Sequence, residues 1–118
     1  MRILITVAPL MYREALAIAI HQDLPESEVM IGSLGQLDGQ AEDFAPHLLI
    51  RNNTDGADMS LQTGALCWIE VLYSNGLNAR ISLDGDVWEI EDISIEELLG
   101  IVRKAETLIP EWTVKQST

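Results

Sequence analysis

Basic residues are scarce in this chain. Its 118 residues include seven Lys and Arg against nineteen Asp and Glu, a formal net charge of −12, and Arg103-Lys104 is its one adjacent basic pair. Such a charge repels phosphate backbones and anionic bilayers, which argues against direct nucleic-acid binding and against membrane association. Cysteine is limited to Cys67, so no internal disulfide can form, and with only two histidines a thiolate zinc site is excluded. No metal and no cofactor is expected, and a reducing compartment, the cytoplasm, fits best. No apolar run reaches membrane-spanning length. The first apolar run, Ile3-Leu4-Ile5-Thr6-Val7, meets Pro9 and Arg13-Glu14 too soon for a signal peptide and reads as a strand.

What is present suits one domain. With 47% hydrophobic residues the chain is long enough for a single core spanning 1–118, ending in a tail at 110–118 beyond Pro110. Residues 2–7 form a first strand. Leu10 to Gln22 follows as a helix with apolar residues at Leu10, Met11, Ala15, Leu16, Ile18, Ala19 and Ile20. Glu28 to Ile31 is a short second strand. Leu34, Leu37, Ala41 and Phe44 recur at helical spacing, although Gly35 and Gly39 weaken that helix by roughly 1 kcal/mol each relative to alanine. The run Pro46-His47-Leu48-Leu49-Ile50-Arg51-Asn52-Asn53 reads as a buried parallel strand ending in a loop. Residues 54–64 are polar and glycine-punctuated, and Leu66 to Tyr73 is the next strand, closed by Ser74-Asn75-Gly76.

The most legible local structure lies at 79–90. Two alternating runs flank Asp84-Gly85, a two-residue turn pair that demands positive φ. Counting outward from that turn pairs Leu83 with Asp86, Ile81 with Trp88, Arg80 with Glu89 and Ala79 with Ile90. Ser94-Ile95-Glu96-Glu97 is a capping box, and Leu98, Leu99, Ile101, Val102, Ala105 and Leu108 give the last helix its buried face.

Alternation of strand and helix predicts an α/β fold with a parallel sheet covered by helices on both faces. Arg2-Ile3-Leu4-Ile5 with Pro9-Leu10-Met11-Tyr12-Arg13-Glu14-Ala15-Leu16, Pro46 through Asn52, and Glu91-Asp92-Ile93-Ser94-Ile95-Glu96-Glu97-Leu98-Leu99 together resemble response-regulator receiver domains. The resemblance implies a flavodoxin-like three-layer sandwich with a mostly parallel sheet, in which a β-hairpin near residues 79–91 stands in place of the fourth helix. It also implies a degenerate site. The family's magnesium-holding acids fall on Thr6 and Val7, its phosphoacceptor aspartate on Asn52, its hydroxyl residue on Ser74, and its lysine near Ile90 or Glu91. An amide is no carboxylate nucleophile, so phosphoryl transfer is not expected.

Two functional readings follow, neither of them enzymatic. The first is a non-phosphorylated, receiver-like regulatory module acting through protein contacts as a homodimer, with Ile81, Leu83, Trp88, Ile90 and Trp112 as interface residues. Whether Trp88 packs on its own core or against a partner stays open at this level. The second is a small-molecule or nucleotide sensor with a neutral pocket of Thr6, Val7, Asn52, Asn53 and Ser74 at the carboxyl edge of the sheet. Arg51 is expected in an ion pair with a carboxylate such as Asp55. Cys67 reads as a buried small hydrophobe, and the acids Asp84, Asp86, Glu89, Glu91 and Asp92 lack the spacing of a calcium loop.

Overall fold

A computed structural model describes residues 1–7, 10–32, 44–52, 67–73 and 77–108. The elements in chain order are β1 (Arg2–Ile5), α1 (Leu10–Asp23), β2 (Glu28–Ile31), β3 (Leu48–Asn52), β4 (Cys67–Tyr73), β5 (Leu77–Leu83), β6 (Asp86–Ile90) and α2 (Ile95–Thr107). The six strands form one sheet in the order β2-β1-β3-β4-β5-β6. The helix expected over 34–44, apart from Phe44, and the tail at 110–118 lie outside the described residues.

The sheet corrects the expectation of a flavodoxin-like, mostly parallel sandwich. Its pairs β1–β2, β1–β3 and β3–β4 are parallel, but β4–β5 and β5–β6 are antiparallel. The reason is connection length. A parallel pair needs a crossover of a dozen or more residues, whereas three residues separate β4 from β5 and two separate β5 from β6. The hairpin therefore does not replace a helix between parallel strands; it extends the sheet. The layering differs as well. Among the described residues both helices pack on one face, where Leu16 and Ile20 of α1 and Leu98, Ile101, Val102 and Ala105 of α2 share a core with Ile3, Ile5, Leu48, Ile50, Ile69, Val71, Ala79, Ile81 and Leu83.

Strand alternation assigns the remaining residues to the opposite face. There Leu4 and Leu49 are fully buried, with Met30, Phe44 and Trp68 packed against them. The hairpin has the register that its turn predicts, Leu83 opposite Asp86, Ile81 opposite Trp88 and Arg80 opposite Glu89. Asp84 and Gly85 both have positive φ, 52° and 92°, as a type I′ turn requires. The capping box is formed: Ser94 Oγ accepts from the Glu97 amide and the Glu97 carboxylate accepts from the Ser94 amide, each at 3.1 Å.

At the amino edge of the sheet His47 joins β1 to β3. Its Nδ1 accepts from the Arg2 amide at 2.9 Å, its own amide donates to the Arg2 carbonyl, and Arg2 Nε donates to the Ala45 carbonyl. An accepting Nδ1 fixes the neutral ring as the Nε2–H tautomer. Burial, then the charges of Arg2 and the chain amino group, hold the imidazole below its ordinary value of 6.5. The folded state thus prefers neutral His47, a contribution fully present above pH 6.5 and lost as the pH falls through the depressed folded value. Chemical denaturation at a series of pH values should show stability falling below that point in the native chain and a flatter profile in His47→Gln. Parallel profiles for the two would refute the linkage.

Candidate functional site

The carboxyl ends of the parallel strands are where open α/β sheets place ligands. The expected neutral pocket is not assembled there from its described members. Thr6 is buried, donates its amide to the Ile50 carbonyl at 2.8 Å and lies one step past the Ile5–Ile50 pair, which continues the alternation onto the Leu4 face. Val7 is in the core beneath the helices, and Asn52, half-buried and opposite Val71, shares that helix-covered side. Thr6 and Asn52 thus belong to opposite faces of the sheet. Asn53 and Ser74 lie outside the described residues.

What the edge does present is an apolar cleft between the two helices. A cavity of about 190 Å³ is lined by Tyr12, Ala15 and Leu16 of α1, Val71 of β4, Leu77 of β5, and Ser94, Ile95 and Leu98 at the start of α2. The segment entering α2 is held to β5 by two bonds: the Ile93 amide donates to the Leu77 carbonyl at 2.8 Å, and the Asp92 amide donates to Asn78 Oδ1 at 3.1 Å. Large apolar side chains are exposed on these elements: of the lining residues Tyr12 and Ile95 are 47% exposed each, and Met11, one helical turn before Ala15, is 71% exposed. The signal for these residues lies in the sequence of α1. At about 100° per residue, Leu10, Met11 and Ile18 cannot share a face with Leu16 and Ile20, so a helix apolar all round must either be buried all round or show apolar residues to its surroundings.

The interface residues expected on the hairpin are used within the chain. Ile81 and Leu83 are core, and Trp88 and Ile90 are half-buried against it. The Lys104 ammonium of α2 lies 5.2 Å over the Trp88 ring, an attraction between a cation and the ring's negative face. Trp112 lies outside the described residues.

A second polar feature crosses the opposite face. The registers place Arg51, Glu70, Arg80 and Glu89 side by side on four neighbouring strands, a row of alternating sign. Arg51 pairs with Glu70 at 3.1 Å, their side chains 4% and 12% exposed; Asp55, the partner expected from sequence, lies outside the described residues. The Trp68 ring lies 5.5 Å from the guanidinium, while Arg51 Nε and Nη1 are buried without acceptors among the described residues. Farther out, Arg80 and Glu89 are 3.9 Å apart and more than half exposed, a pair that contributes at most about 1 kcal/mol. A cavity of about 170 Å³ lies against the outer part of this row, between Glu70, Arg80, Glu89 and Glu91.

Cys67 lies in the core, and burial, partly offset by a hydrogen bond with the Asp84 backbone, pushes its thiol above the usual range, away from a reactive thiolate. Among the described residues no group of three or more His, Cys, Asp or Glu is placed to hold a metal, and no helix is long and apolar enough to cross a membrane. Compared with known protein families, characterised proteins and solved structures, the chain matches none.

Because Glu70 is the ionic partner of a buried guanidinium, Glu70→Ala should cost about 3 kcal/mol, more than any exposed carboxylate in the chain. The double replacement Arg51→Met with Glu70→Leu should recover most of that loss. Urea unfolding at constant m value measures both, and a cost below about 0.5 kcal/mol for Glu70→Ala would show the pair to be energetically idle.

Proposed function

We propose that the chain is a non-catalytic regulatory module that binds a protein partner through the carboxyl-edge cleft between α1 and α2. The observation that carries this reading is a cavity with an almost wholly apolar lining at which Tyr12 and Ile95 stand half exposed, with exposed Met11 one helical turn before the lining residue Ala15. Apolar side chains gathered in this way mark interaction surfaces, whereas scattered ones need no explanation. Interface cores also favour methionine and tyrosine over charged residues, and both are here. The hairpin has a weaker claim, since Trp88 and Ile90 already pack on the chain's own core.

The cavity is small for a metabolite. Ligand pockets run from roughly 300 to 1,000 Å³, while about 190 Å³ suits one large side chain. A nucleotide sensor has less support for a second reason, because Thr6 and Asn52 sit on opposite sides of the sheet. Self-association, the form of partnership first expected, is opposed by the net charge of −12 on each copy. The single Cys67, buried as a free thiol, suits a reducing compartment, and the cytoplasm is the location that goes with this reading.

A photo-crosslinking residue at Met11, set against one at Val87 on the opposite face, tests the assignment in cells of the source organism. A discrete crosslinked species is expected from position 11, absent from position 87 and lost when Ile95→Asp is added. No species from position 11, or one indifferent to Ile95→Asp, would contradict it.

A further inference from the structure

The chemistry of the partner can be read from what surrounds the cleft, given that the cleft is a docking site as proposed above. Three exposed carboxylates, Asp92, Glu96 and Glu97, stand within three residues of the lining residues Ser94 and Ile95. Glu97 is tied to the Ser94 amide by the capping box, while among the described residues no hydrogen bond or ion pair engages the Glu96 carboxylate. The other cations of the described residues are committed elsewhere. Arg51 pairs with Glu70, Arg80 with Glu89 and Arg103 with Asp23; Lys104 covers Trp88; Arg2 is bonded to Ala45 at the amino edge. Arg13, the one base near this end of α1, is buried. The apolar slot thus has exposed carboxylates next in sequence to its Ser94 and Ile95 wall, and no exposed cation of the described residues beside it.

From this arrangement we infer that the cleft receives a basic segment of another protein, one that inserts a single leucine- or phenylalanine-sized side chain between Tyr12, Leu16 and Leu98 and sets lysines or arginines against Asp92 and Glu96. The size fits: an apolar cavity of about 150 Å³ holds benzene, and this one is about 190 Å³. Apolar anchoring supplies the affinity, and the charged rim selects the sign of the partner and speeds encounter. The same rim turns away phosphates and anionic bilayers, and it turns away a second copy of this chain, whose exposed surface carries the same excess of acid.

A random peptide library displayed on phage and panned against the whole folded chain tests this without a known partner. Enriched peptides should share one bulky apolar residue flanked by lysine or arginine. Synthetic versions should lose about thirtyfold or more in affinity to Ala15→Leu, which fills the cavity from within, and to Ile95→Ser, chosen because that side chain is half exposed and its loss leaves the core intact. Glu96→Lys should weaken binding mainly through the association rate, with binding falling as salt rises from about 0.05 M to about 0.2 M. Enrichment of neutral or acidic peptides that still respond to Ala15→Leu and Ile95→Ser would leave the docking site standing and overturn the basic partner. Peptides indifferent to both variants, or no enrichment at all, would overturn both.

Discussion

The type I′ turn at Asp84-Gly85 and the three-residue connection before β5 constrain everything on the carboxyl side of the sheet. Connections so short force β5 and β6 to run antiparallel to their neighbours, and the register that follows puts Ile81 and Leu83 into the core and leaves Trp88 half-buried beside Lys104. That half of the face is covered by α2, whose Leu98, Ile101, Val102 and Ala105 share the core with Ile81 and Leu83, and α2 lies alongside α1. The Asp23–Arg103 ion pair at 3.1 Å marks the contact between their ends.

The cleft is a by-product of that geometry. Two helices lie side by side over a twisted sheet, and where their amino-terminal ends meet at the carboxyl edge the described residues that line the space are Tyr12, Ala15, Leu16, Val71, Leu77, Ser94, Ile95 and Leu98. The capping box on α2 and the bonds from Ile93 and Asp92 to β5 hold one wall in place. The site is therefore built on regular elements, which favours a defined shape over an adaptable one. The acidic rim follows from the same segment, since helix amino termini favour carboxylates and Glu96 and Glu97 occupy the first turn of α2.

Features set by neighbours in sequence were legible before the structure. The hairpin register and the Ser94 cap need only residues a few positions apart. Features set by strand order were not. Thr6 and Asn52 seemed to share a pocket because both end apolar runs, and only the β1–β3 register separates them by face. Arg51 finds Glu70 across nineteen residues of sequence, a distance over which no spacing rule reaches, so the nearer Asp55 seemed the natural partner. Three residues between β4 and β5 are too few for a parallel crossover, a constraint at odds with what the resemblance to receiver domains implies. In α1 the apolar residues surround the helix, so their periodicity does not mark out that Leu10, Met11 and Tyr12 stay exposed.

The central claim is that an open apolar cleft stands between the amino-terminal ends of α1 and α2. Methyl NMR spectra of the intact chain, recorded with and without xenon as a probe of accessible apolar space, test it most directly. The account predicts selective shifts for the methyls of Leu16, Val71, Leu77, Ile95 and Leu98, with those of Ile3 and Ile50 unmoved. Unchanged spectra, or shifts centred on the hairpin methyls of Val87 and Ile90, would contradict it.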